Sequence, residues 1–154
     1  MNEEERLIDR FYANLRARDW ERMVQLYHPG IFFYDPVFGN LDGAQVTAMW
    51  RMLLSGVNQL DLKLSDLTGG DGYASCRWTA IYLFTPTGRK VVNHGRAMFR
   101  IGEERILEHH DEFSFWRWSA QALGWKGRLF GWTTVFQKTV RRRALRQLER
   151  FMKK

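Results

Sequence analysis

The period of the apolar residues changes once along this chain, at Gly56. Before it, Leu7, Ile8, Phe11, Tyr12 and Leu15 recur at helical spacing and predict a helix over residues 3–17. Asp19 suits the N-cap of a short helix over 20–27 that carries Met23, Val24, Leu26 and Tyr27, with His28-Pro29-Gly30 as its stop. Ile31–Tyr34 reads as a short strand, and Asp42-Gly43 opens a helix over 43–55 with Val46, Met49, Trp50, Leu53 and Leu54 on one face. Past Gly56 the period is two. Leu60, Leu62 and Leu64 alternate with polar partners, and Ala74, Cys76, Trp78, Ala80, Tyr82 and Phe84 share one face of a long strand. Two more strands, over 90–101 and 105–116, flank a Gly102-Glu103-Glu104 turn. Helices first and then a meander of strands predict an α+β fold, because each part buries its apolar stripe only against the other.

The chain has 154 residues, enough for one domain with a real core, and 45% of them are hydrophobic, which excludes a disordered polymer. Aromatic residues reach 15%, an excess that suits an apolar pocket or a large interface. The net charge of +7 suggests nucleic acid until it is located. Residues 137–154 hold eight basic side chains against Glu149, which is the whole of it, and residues 1–136 are balanced. No specific nucleic-acid contact is therefore expected. Cys76 is the single cysteine and has no partner for a disulfide. No apolar run has membrane-spanning length, and the acidic Glu3-Glu4-Glu5 start is unlike a signal peptide, so a cytoplasmic location is the expectation.

Asp35 ends the apolar run Phe32-Phe33-Tyr34 and precedes Pro36. Walled by Phe32, Phe33 and Phe38, its carboxyl would hold its proton to higher pH and exchange it near neutrality. The plain alternative is an Asp that starts a turn before proline. The unbroken stretch from Asp19 to Asp35, with Asp35-Pro36-Val37 at its end, resembles the ketosteroid isomerase-like branch of the nuclear transport factor 2-like superfamily. The closing Arg105-Ile106-Leu107-Glu108-His109-His110-Asp111 is similar to the end of SnoaL-like polyketide cyclases. The resemblance covers roughly residues 5–116 and implies a cone-shaped fold, with N-terminal helices in the concave face of a curved antiparallel sheet. It divides the chain into a SnoaL-like domain over 1–118 and an extension over 119–154. It also implies Asp35 as general base, Asp111 as acid or base, no cofactor, and a homodimer. By spacing, the tyrosine of the isomerases falls on Phe11 and their protonated Asp on Arg96, so steroid isomerisation by that mechanism is not expected. Relatives of the limonene-epoxide-hydrolase type use an Asp–Arg–Asp trio, of which Arg96 and Asp111 would supply two.

Strand geometry proposes which side chains meet. If Ile101 pairs with Ile106 across the turn, Arg96 lies opposite Asp111 and Met98 opposite His109, with His94 and Phe113 on the same face. His110 then points the other way. The candidate catalytic set is Asp35, Asp111, Arg96, His94 and His109. The candidate ligand wall is Phe11, Tyr12, Tyr27, Trp50, Trp78, Tyr82, Met98 and Phe113. Such a set suits proton transfer on a mostly apolar small molecule, of isomerase, cyclase or hydrolase type. The alternatives are a structural Arg96–Asp111 ion pair and a noncatalytic ligand-binding or protein-interaction domain. His94, His109 and Asp111 lack a metal-binding spacing, and no metal is expected.

Residues 116–136 are rich in Trp and Phe, and 137–152 read as a basic amphipathic helix with Val140, Ala144, Leu145, Leu148 and Met152 on one side. Three readings stand: a clasp over the sheet or pocket edge with solvated arginines, weak contact of this helix with anionic membrane, and, weakest because the domain is neutral and carries no nucleic-acid-binding motif, nonspecific nucleic-acid contact.

Overall fold

A computed structural model describes all of residues 1–154. Three helices lead: α1 (Glu3–Arg16), α2 (Trp20–Gln25) and α3 (Gly43–Ser55). Each starts on a side-chain cap that sequence spacing allows. Asn2 accepts from the Glu5 amide, Asp19 from Arg22, and Asp42 forms a reciprocal box with Gln45. The acidic first turn of α1 also lies at the positive end of its helix dipole.

Between them, β1 (Tyr27–Asp35) and the short β2 (Gly39–Leu41) form a hairpin, and β3 (Leu60–Gly70), β4 (Tyr73–Phe84), β5 (Arg89–Gly102) and β6 (Arg105–Phe113) form the meander. The six strands order as β2-β1-β6-β5-β4-β3. Four pairings are antiparallel. The fifth, β1 with β6, is parallel and corrects the expectation of a wholly antiparallel sheet. It sets Phe33 beside His109 and Tyr34 beside His110. A second correction concerns the stop of α2. The helix ends at Gln25, and Tyr27 already belongs to β1, whose register with β6 shifts between Tyr27 and Phe32, across His28-Pro29-Gly30.

The register of β5 on β6 also differs from the simple turn geometry. Ile101 does pair with Ile106, through a two-residue turn in which Glu103 and Glu104 are both left-handed (φ 54° and 62°). Arg100 then pairs with Glu108, so Leu107 is an extra residue on β6. The Ile101 amide donates instead to the Gly72 carbonyl at 2.7 Å. Beyond this bulge every partner moves by one: Ala97 faces Asp111, and Arg96 faces Glu112.

The chain ends in α4 (Phe115–Ala122), α5 (Trp125–Phe130) and α6 (Thr134–Met152). Gly127 lets α5 close on the Ser119 carbonyl of α4, where a Cβ would overlap it. α6 lies against α3. Its Leu148 is buried, while Val140, Ala144 and Leu145 pack on the core, and Arg51 of α3 sits over both Trp20 and Phe151. The apolar stripe of α6 is thus turned inward. No helix is long and apolar enough to cross a membrane.

Leu148 reports on this clasp. Leu148→Ala removes a fully buried side chain and is expected to lower stability by about 2–5 kcal/mol, read from denaturant unfolding. A loss of a few tenths would mean that α6 is not part of the cooperative fold.

Candidate functional site

One cavity of about 550 Å³ lies between the concave sheet face, α1, α3 and α6. Alternation along β4 turns Trp78, Ala80 and Tyr82 into it, and the same alternation on β6 turns in His109, Asp111 and Phe113. Tyr12 and Trp50 add helical walls. α6 supplies Val140, Arg143, Ala144 and Gln147 at the rim, so the clasp borders the cavity.

Asp111 and His109 are both buried. His109 Nε2 lies 3.1 Å from Asp111 Oδ1, and the Trp78 indole donates to the same oxygen at 3.2 Å. On its other side, His109 Nδ1 lies 2.8 Å from the Tyr27 hydroxyl, and that hydroxyl accepts from the Trp50 indole at 3.1 Å. One chain of hydrogen bonds therefore runs Trp50–Tyr27–His109–Asp111–Trp78. Aromatic rings of Phe11, Phe33 and Phe99 enclose the imidazole at 5.5, 5.1 and 4.5 Å. Gly95 has no side chain where the Trp78 ring crosses β5, and a Cβ there would overlap the indole.

Asp35 is at the end of β1 and lines the same cavity. Its Oδ1 accepts from the amides of Val37 at 2.9 Å and Phe38 at 2.7 Å, so it does start the turn that Pro36 suggests. Burial raises its carboxyl to about 7. The Phe38 amide opposes that rise, the Asp111 charge adds to it, and the Val37 amide and His109 oppose it. The residue that starts the turn is thus also the one whose carboxyl is raised toward neutrality. Burial also holds the Tyr12 hydroxyl well above its ordinary range, with Asp111 and Cys76 as the next contributors. That hydroxyl is buried and has no hydrogen-bond partner.

The one-residue shift at Leu107 removes three expected residues. His94 and Arg96 are exposed, and Met98 pairs with His110, all on the sheet face opposite Asp111. Arg96 cannot hold Asp111, and His94, His109 and Asp111 do not converge. His94 bonds the Thr79 hydroxyl instead. Phe11 and Tyr27 are buried behind the imidazole and do not line the cavity. Phe32 is 70% exposed and does not wall Asp35, whereas Phe33 and Phe38 are buried. Tyr27 bonds His109 instead, a contact that spacing gives no hint of, since its partner is 82 residues away.

A family model for the SnoaL-like domain matches residues 8–109. No curated protein sequence matches the chain. Among solved structures, a candidate SnoaL-like polyketide cyclase from Shewanella putrefaciens is similar at a TM-score of 0.68 and 14% identity, over 79% of this chain and 86% of that one. A nuclear transport factor 2-like protein of unknown function from Burkholderia pseudomallei gives 0.63 at 15%, over 73% and 92%. TerC, co-crystallised with polyporic acid, gives 0.61 at 16%, over 73% and 92%. At these identities the likeness shows the fold, which is the cone-shaped nuclear transport factor 2-like one.

The position of Asp35 has a consequence for stability. Its folded-state pKa of about 7 lies above the ordinary carboxyl value of 3.8. Its contribution is then fully present below about pH 4 and is lost as pH rises through about 7. Asp35→Asn keeps an acceptor for the Val37 and Phe38 amides and removes the charge. The variant is expected to melt higher than the parent by a margin that grows from pH 5 to pH 8. A margin independent of pH would contradict the raised carboxyl.

Proposed function

The chain belongs to the SnoaL-like domain family, and we propose that it takes a mostly apolar small molecule into this cavity and moves a proton on it. The observation that carries the proposal is that Asp35 and Asp111 line a single, largely apolar cavity, with different partners. Asp35, raised to about 7, is matched to giving and taking a proton near neutral pH. Asp111 is held by two N–H donors from His109 and Trp78 and serves as the fixed acceptor that orients the ligand. The Tyr12 side chain adds to the helical wall of the cavity, with its hydroxyl buried.

These roles fit proton removal beside a carbonyl. Asp35 accepts the proton from carbon, charge builds on the carbonyl oxygen, and Asp35 returns the proton at another carbon or to oxygen. Isomerase and cyclase chemistry both need this step, as does solvent exchange at that carbon. Excluding bulk water strengthens each electrostatic contact at the step. The wall of Trp50, Trp78, Tyr82 and Phe113 selects flat, apolar molecules. TerC, crystallised with polyporic acid, supports an aromatic oxygenated compound as the first class to try.

A panel of aromatic polyketide-type ketones tests this, with binding read from tryptophan quenching and turnover from deuterium uptake out of heavy water. The parent is expected to exchange the proton beside the carbonyl, and Asp35→Asn to lose about 10²–10⁴-fold in rate while still binding. Binding without exchange in the parent would make the protein a noncatalytic ligand carrier. Full exchange in Asp35→Asn would dismiss the base.

A further inference from the structure

Residues 113–148 contain eight basic side chains and no acidic one. Within that stretch the structure leaves a run of large apolar side chains in solvent: Trp116, Trp125, Leu129, Phe130, Trp132 and Val135. Trp125 and Trp132 are each 65% exposed and Val135 is 77% exposed. Four of them, Trp116, Trp125, Leu129 and Trp132, are tied together through α5. Trp125 and Leu129 are one turn apart on α5, the Trp132 indole donates to the Leu129 carbonyl at 3.0 Å, and the Trp116 indole donates to the Arg128 carbonyl at 2.8 Å. Lys126 lies over the Trp125 ring at 5.7 Å, so charge and aromatic surface are interleaved.

We propose that this surface, formed by α5 and the ends of α4 and α6 that meet it, docks on an anionic phospholipid bilayer. Tryptophan, leucine and phenylalanine flanked by lysine and arginine are the composition of a protein surface that sits at the headgroup and acyl boundary. The basic residues draw it to acidic headgroups, and the exposed apolar side chains gain by entering the upper acyl region. A second copy of the chain is a poor occupant, because a twofold contact would set this cationic surface against itself. Nucleic acid would answer the charge but not Leu129 and Val135. The amphipathic stripe of α6, where the sequence alone suggested membrane contact, is not the docking element, since it is packed on α3 and the core. α6 instead joins the surface to the cavity: it leaves Val135 and, about 7.5 Å further on, lines the cavity with Val140. The docking rests on the surface alone and does not need the proton chemistry.

Co-sedimentation of the full chain with vesicles tests it, using phosphatidylcholine alone or mixed with phosphatidylglycerol. The protein is expected to pellet with the anionic vesicles only, to shift its tryptophan emission to the blue, and to detach as salt rises. Trp125→Ser with Trp132→Ser is expected to weaken binding by about tenfold or more. Lys126→Glu with Arg128→Glu, at exposed charges outside the core, is expected to do the same with unchanged melting and unchanged cavity-ligand quenching. No binding of the parent to anionic vesicles would overturn the proposal. So would equal binding by both folded double variants, or a surface whose mutation changes only the oligomeric state or only the retention of an RNA oligomer.

Discussion

The rest of the site depends on the two hydrogen bonds of the His109 ring. The imidazole is buried among Phe11, Phe33 and Phe99, where water does not reach, so each ring nitrogen requires a protein partner. Tyr27 meets one nitrogen and Asp111 the other. Tyr27 comes from the start of β1, Asp111 from β6, and the outer donors Trp50 and Trp78 from α3 and β4. One buried ring thus ties a helix to three strands and fixes the carboxylate at one wall of the cavity. The parallel pairing of β1 on β6 makes this possible, because it lays Phe33 beside His109 and brings Asp35 to the cavity from the same strand.

Most of this architecture was legible in the sequence, since it follows from local period and caps. The three leading helices, the concave face of β4 and the three residues Asp35, His109 and Asp111 all come from one-strand or one-helix patterns. The misplacement of His94, Arg96 and Met98 comes from a single added residue. Leu107 bulges after a turn built on two left-handed glutamates, and nothing in Gly102-Glu103-Glu104 announces it. Because side chains alternate, that shift carries His94, Arg96 and Met98 to the other face and leaves Asp111 without a guanidinium. Phe11 and Tyr12 show the same sensitivity on a helix. They differ by about 100° in direction, and the structure turns Tyr12 rather than Phe11 to the cavity.

The C-terminal third shows how charge misleads when read without packing. Its arginines make the chain basic, yet α6 spends its apolar side closing the cavity and clasping Arg51 between Trp20 and Phe151. Arg143 and Gln147 reach the rim, so the helix that carries the charge also borders the entrance. Asp35 is half-buried at the wall of this cavity, and the partial loss of its hydration is what raises its carboxyl.

The partners of the central ring limit which proton arrangements it can take. The Trp50 indole donates to one lone pair of the Tyr27 oxygen, and that hydroxyl can then either donate to His109 Nδ1 or accept from it. With Tyr27 donating, His109 carries its own proton on Nε2, toward Asp111, and this is the arrangement the proposed function takes. In that arrangement Asp111 is an acceptor only, and the proposed proton exchange falls to Asp35. Long-range proton–nitrogen correlation spectra of the chain with ¹⁵N-labelled histidine read this directly. The account predicts a His109 ring protonated on Nε2 with a bare Nδ1. A ring protonated on Nδ1 with a bare Nε2 would contradict it, because Asp111 would then have to hold a proton and would itself be the acid.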